Sequence, residues 1–140
     1  MDNTNQLFHL LFQKTRHMTK ELNVSLQKHE LFSSQWSILY CLMTKGSMTQ
    51  SEIWRYLGVE APTVTRTLIK LEEFGWIQRS SGQDKRERLV SLTEKAYKQL
   101  PFVEDDVKTF EKVMISNLTS EEQKQLYYLL SKLGETSDME

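Results

Sequence analysis

The sequence predicts a mainly α-helical fold carrying one small β-hairpin, and three observations predict it. Apolar residues recur at helical spacing through most of the 140 residues. Only five Gly and two Pro are present, and they fall at the joints of that pattern. After Gly75 the period switches briefly to that of strands. The length suits one domain with a respectable core rather than two.

The elements follow in order. Residues 5–28 place Leu7, Leu10, Leu11, Met18, Leu22 and Leu26 at nearly helical spacing with no breaker, which predicts one long amphipathic helix. A second helix over 34–44 carries Trp36, Leu39, Tyr40, Leu42 and Met43, with Ser33 and Ser34 as cap candidates and a stop before Gly46. Thr49-Gln50-Ser51-Glu52 has the form of a capping box, in which a hydroxyl and a carboxylate each satisfy a free backbone N–H, so a short helix over 50–57 starts here. Gly58 suits its left-handed end. Pro62 fits the first position of the next helix, 62–74, whose stripe is Val64, Leu68 and Leu71. Trp76–Arg79 and Leu89–Leu92 then read as two strands around a Gly-containing polar turn. From Thr93 to about Asn117 the pattern is helical again, with Pro101 as a kink rather than a terminator. A further capping box, Thr119-Ser120-Glu121-Glu122, opens a last helix with the stripe Leu126, Leu129, Leu130 and Leu133, and Gly134 closes it.

Charge is divided along the chain. The formal total of −1 excludes a uniformly basic protein that coats nucleic acid or an anionic membrane. Residues 1–101 nevertheless carry fourteen basic and ten acidic side chains, and residues 102–140 carry four and nine. The two regions are expected to face different neighbours, with acidic Glu104-Asp105-Asp106 and the C-terminal segment held away from any phosphate. There is no secretion signal and no run of about eighteen apolar residues, so no membrane partner and a cytoplasmic location are expected.

Two short helices joined at a Gly and followed by a hairpin make a winged helix-turn-helix, whose second helix is the reading helix. With the apolar stripe turned to the core, Thr63, Arg66, Thr67 and Lys70 form a polar, cationic face, and Thr65 lies among them. Such a helix fits the major groove, roughly 12 Å wide, where Arg takes guanine O6 and N7 together and Thr meets a methyl or a phosphate. The hairpin tip gathers Asp84, Lys85, Arg86 and Arg88, and an Arg-rich tip suits the minor groove. Asp84 is placed to hold the Arg86 guanidinium extended. A solvated helix face and an ordinary charged turn are the plainer readings of each segment alone.

Taken together, these residues resemble the multiple antibiotic resistance regulator (MarR) family of winged-helix regulators. Thr63-Val64-Thr65-Arg66 through Leu68, Leu71-Glu72, Gly75-Trp76-Ile77 and Arg79 look like its reading helix and first wing strand. Asp84-x-Arg86 and Leu89-Val90-Ser91-Leu92-Thr93-Glu94-Lys95 are similar to its wing and the following helix start. The order of elements extends the likeness from about residue 6 to residue 134. One departure is Ala96, where the family usually has Gly. The resemblance implies one domain over 1–140, with residues 5–30 and 94–134 forming dimerisation helices and 33–93 the DNA-binding lobe. It implies a homodimer that represses transcription from a pseudopalindrome in double-stranded DNA. In it Arg86 would reach the minor groove and Asp84 would orient it. The leucines of the first and last helices independently exceed what one small lobe buries, which also favours a partner subunit.

The resemblance further implies release by a small, often aromatic, effector bound between the dimer helices and the lobe. His17, Met18, Trp36 and Tyr40 are candidates to line such a crevice, and ordinary core packing is the competing reading for the aromatics. Cys41, the sole cysteine, lies in an apolar helix and reads as a buried hydrophobe rather than a thiol sensor. His9, His17 and His29 form no ligand spacing, so no metal and no cofactor are expected. No catalytic set or phosphate loop is present, so an enzyme is not predicted. The alternative that remains is a winged-helix module that binds protein instead of DNA; it would need an apolar reading helix, and a stoichiometric partner with no DNA shift would favour it.

Overall fold

A computed structural model describes residues 3–80 and 88–135 of the chain. The order is α1 (Asn3–Leu26), a single 3₁₀ turn (Gln27–His29), α2 (Ser33–Lys45), β1 (Met48–Thr49), α3 (Gln50–Leu57), α4 (Ala61–Glu73), β2 (Ile77–Ser80), β3 (Leu89–Leu92), α5 (Glu94–Met114) and α6 (Ser120–Lys132). The mainly helical class with a small β-wing is therefore the observed one.

α1 tightens at its end instead of running on to residue 28. The Glu30 N–H donates to the Gln27 carbonyl at 3.0 Å and the Leu31 N–H to the Leu26 carbonyl at 3.3 Å. Glu30 takes the left-handed conformation, φ 58°, that lets the chain reverse into α2. Lys28 and His29 are thereby turned toward α5, where Asp106 accepts from both, at 3.0 Å from Lys28 Nζ and 2.5 Å from His29 Nε2. Hydrogen bonding from His29, then Lys28, holds the Asp106 carboxyl below its ordinary range.

α2 does not use the expected serine caps, because Ser33 and Ser34 are its first helical residues. Its free donors are met from elsewhere. The Phe32 N–H donates to Gln35 Oε1 at 2.9 Å, and the Ser33 N–H donates to Asn23 Oδ1 on α1 at 2.7 Å. A cap supplied by another helix is invisible to a local reading of sequence.

The capping box of α3 forms as its residues predict: the Glu52 N–H donates to Thr49 Oγ1 at 3.2 Å and the Thr49 N–H to Glu52 Oε1 at 3.0 Å. The same bond from the Thr49 backbone holds the Glu52 carboxyl below its usual range. Thr49→Ala is expected to cost about 1 kcal/mol of stability, read as a shift of the urea midpoint at constant slope. Gly58 closes α3 at φ 66°, and α4 starts three residues later with Pro62 at its second rather than first position. The second capping box, at α6, also forms, with the Glu122 N–H 3.1 Å from Thr119 Oγ1 and the Thr119 N–H 2.9 Å from Glu122 Oε1.

The hairpin strands are β2 and β3, paired antiparallel from Ile77↔Leu92 to Ser80↔Leu89. A third strand was not legible in the sequence: β1, two residues long, pairs Met48↔Val90 and Thr49↔Leu89, so the sheet order is β1-β3-β2. Two residues carry no periodicity, and only the approach of β3 makes them a strand. Pro101 sits inside α5 without ending it. Ala96 is fully buried on the first turn of α5, its N–H donating to Thr93 Oγ1 at 3.1 Å, so the methyl that replaces the family's Gly is accommodated.

The core is one cluster from the lobe into α5. Leu39, Cys41, Ile53, Leu68, Leu71, Val90 and Val103 are completely inaccessible within it. Cys41 is the buried hydrophobe its neighbours suggested, and burial pushes its thiol pKa up against a smaller opposing effect of Lys45. The stripe of α1 enters this core only at its end, where Leu26 is fully buried and Leu22 packs against the cluster, and the stripe of α6 stays outside it. Leu7, Leu10, Leu126, Leu129, Leu130 and Leu133 remain about half exposed, and α6 buries none of its residues.

Candidate nucleic-acid interface

α4 is held against the lobe by Val64, Leu68 and Leu71, all essentially inaccessible. At 3.6 residues per turn this seats Pro62, Arg66, Ile69 and Glu73 on the opposite side, with Thr65 and Lys70 on its two flanks. All six are exposed. Thr63 and Thr67 are half-buried instead, lining a cavity of about 140 Å³ against Ser34, Ser37 and Ile38 of α2. The outward face is thus turned relative to the expected set of Thr63, Arg66, Thr67 and Lys70. A partly buried α2 face is what rotates it.

The threonine hydroxyls are already used within the helix. Thr65 Oγ1 donates to the Ala61 carbonyl at 3.0 Å and Thr67 Oγ1 to the Thr63 carbonyl at 2.9 Å. Each hydroxyl proton is thereby committed within the helix, which leaves the oxygen free to act only as an acceptor. The Arg66 guanidinium rests at 3.3 Å from Thr63 Oγ1. Lys70 is 3.8 Å from the Glu73 carboxylate, an exposed pair that breaks at little cost. Both cations are therefore available to a phosphate or a base edge.

A second group, which the sequence did not single out for this role, locks α4 to the wing strand. Arg79 on β2 is only 13 % exposed in its side chain. Its Nη2 donates to Glu72 Oε1 at 2.9 Å, its Nε to Glu72 Oε2 at 3.4 Å, and its Nη1 to Gln50 Oε1 on α3 at 3.3 Å. One guanidinium thus ties the two helices of the helix-turn-helix to the wing. Hydrogen bonding by Arg79, with a further contribution from the Arg88 charge, holds the Glu72 carboxyl below its usual range. The turn between α4 and β2 is closed by a similar device: Thr93 Oγ1 donates to the Gly75 carbonyl at 2.6 Å, and Lys95 Nζ to the Phe74 carbonyl at 3.0 Å.

Arg88 lies half-buried immediately before β3. Asp84, Lys85 and Arg86 fall outside the described residues. Among the effector candidates, Trp36 is buried in the core and Tyr40 is exposed, their rings 6.0 Å apart and tilted by 45°. His17 and Met18 lie exposed on α1. Among the described residues no group of three or more His, Cys, Asp or Glu is placed to hold a metal ion, and no helix is long and apolar enough to cross a membrane.

The arrangement of helix-turn-helix, wing and flanking helices matches known proteins. The MarR family model matches residues 31–87, which spans α2 to the wing. The uncharacterized HTH-type transcriptional regulator YwoH of Bacillus subtilis (strain 168) is 47 % identical over 123 residues, covering 88 % of this chain and 90 % of its own. The chain belongs to the MarR family. Among solved MarR structures, the C80S mutant of MarR from E. coli complexed with operator DNA superposes with a TM-score of 0.86 at 26 % identity, covering 96 % of this chain and all of the other. The apo form of wild-type E. coli MarR gives 0.74 at 27 % identity, covering 92 % and 97 %. This chain is thus a MarR-family transcriptional regulator with the family's winged-helix fold.

Proposed function

We propose that this protein is a repressor that binds a pseudopalindromic operator as a homodimer and is released by a small-molecule effector. The observation that carries the DNA reading is α4 itself: a helix seated on the lobe by its buried stripe, whose outward side presents Arg66, Lys70 and Thr65, in a fold shared with a MarR structure solved with operator DNA. Arg66 takes a base edge; Lys70 and Thr65 serve phosphates and bases beside it. Thr63 and Thr67 contribute from the α2 side of the helix. From the wing, Asp84, Lys85, Arg86 and Arg88 approach the backbone and minor groove, with Asp84 orienting Arg86. This assignment rests on sequence.

The homodimer rests on the uncovered stripes of α1 and α6. Six half-exposed leucines on two terminal helices are a surface that a second copy buries. Effector release would act through the spacing of the two lobes, by differential affinity for the DNA-competent arrangement. Tyr40, Met18 and His17 are the accessible candidates for that site, backed by the buried Trp36.

The test is binding of the full chain to duplexes selected from a random library, followed by footprinting on its own upstream DNA. Affinity should fall steeply with salt, as phosphate contacts require, over half-sites about one helical turn, roughly 34 Å, apart. Arg66→Ala should cost about 1–3 kcal/mol and relax preference at one base pair in each half-site. Absence of any preferred duplex at low salt would overturn the reading.

A further inference from the structure

Ile69 is the anomaly of the reading helix. It stands on the outward side of α4, 49 % exposed, two turns beyond Pro62, one turn beyond Thr65 and Arg66, and next to Lys70. It does not reach the core stripe of Val64, Leu68 and Leu71, which occupies the other side of the helix. It is also remote in sequence from the apolar stripes of α1 and α6 that a second copy would cover. A β-branched residue at an exposed helical position offers neither high propensity nor solubility.

We propose that Ile69 is a specificity-determining residue that reads thymine through its 5-methyl group. The inference rests on the DNA-binding reading above and deepens it. Arg66 and Lys70 draw this side of α4 onto the duplex, yet an isoleucine brings neither charge nor hydrogen bond to that contact. Its complement must be apolar, and the thymine methyl is the one apolar group that the bases present in the major groove. Pro62, also exposed on this side, extends the apolar patch along the helix. The flanking cations fix register, and Ile69 discriminates within it.

Replacing thymine by uracil removes only that methyl, so the experiment is a thymine-to-uracil scan of the duplex best bound by the full chain. For the wild type, uracil at one thymine position per half-site should weaken binding about four-fold for each methyl lost, the equivalent of one buried methyl group of about 0.8 kcal/mol. In the Ile69→Ala protein the sensitivity at that position should vanish while sensitivities elsewhere persist. Such non-additivity marks direct contact. An exposed Ile→Ala change in a helix favours folding, and a melting temperature at or above that of the wild type verifies that the variant is folded. If no thymine is methyl-sensitive, or if Ile69→Ala keeps the same sensitivity, which would assign the methyl to Thr65 or Thr67, the proposal is overturned while DNA binding stands. Failure of every duplex to bind would instead overturn the DNA reading beneath it.

Discussion

The double substitution Leu129→Lys and Leu130→Lys on α6 is expected to give a folded monomer of 16.5 kDa by light scattering, against twice that mass for the wild type. Its affinity for a two-half-site duplex should drop by about 10²–10⁴-fold, the range by which linking two binding modules exceeds one. Neither leucine belongs to the core, since both are about half exposed in the single chain and α6 buries none of its residues. The substitutions therefore leave the lobe intact. They place two cations on a surface whose burial in a dimer would otherwise contribute roughly 25 cal/mol per Å² of apolar area. Circular dichroism should be nearly unchanged, and a single half-site should be bound as before. An unaltered mass would show that this stripe lies outside the dimer interface.

Arg79→Met is expected to lower unfolding free energy by about 1–2 kcal/mol and to weaken DNA binding without changing which sequence is preferred. The estimate sits below the cost of breaking a fully buried pair, because Glu72 is 41 % exposed in its side chain and water screens the charge left behind. Methionine keeps the stem's packing but removes all three hydrogen bonds to Glu72 and Gln50. α4 and the wing strand then lose their common tie, so both would meet DNA in a looser relative geometry. Arg79→Lys should restore stability only in part, since an ammonium cannot fork between both carboxylate oxygens and an amide. The acid dependence supplies a second signature. The folded-state pKa of Glu72 lies below its unfolded value, so its contribution is complete above the unfolded carboxylate range, about 4.3, and is lost as pH falls through the lower folded value. The stability difference between wild type and Arg79→Met should therefore shrink on titration from about pH 6 toward pH 3. Asp106, lowered by His29 and Lys28, gives the same sign of acid dependence in both proteins and cancels from that difference.

Much of this protein is set by local chemistry, and that part is legible in its sequence. Each capping box needs only a hydroxyl and a carboxylate three residues apart, so Thr49 with Glu52 and Thr119 with Glu122 mark two helix starts without reference to any other element. Gly58 and Gly75 mark turns because their positive φ values suit a residue with no Cβ. The buried stripe Val64, Leu68 and Leu71 follows from helical periodicity alone. The cationic character of the reading helix and the redundancy of leucine in α1 and α6 are composition read at the right spacing.

What tertiary structure decided depends on partners distant in the chain. β1 exists because β3 lies beside Met48 and Thr49. α2 is capped from α1 through Asn23. Asp106 finds Lys28 and His29 only because α5 crosses the end of α1. Arg79 meets Glu72 and Gln50 only once the register of β2 is set against α3 and α4. The outward side of α4 could be assigned from sequence only to within part of a turn. Periodicity locates the side that must be buried, but the width of the buried sector is set by what packs against its edges. Here α2 covers Thr63 and Thr67 on one edge, and Ile69 is left uncovered beside Arg66.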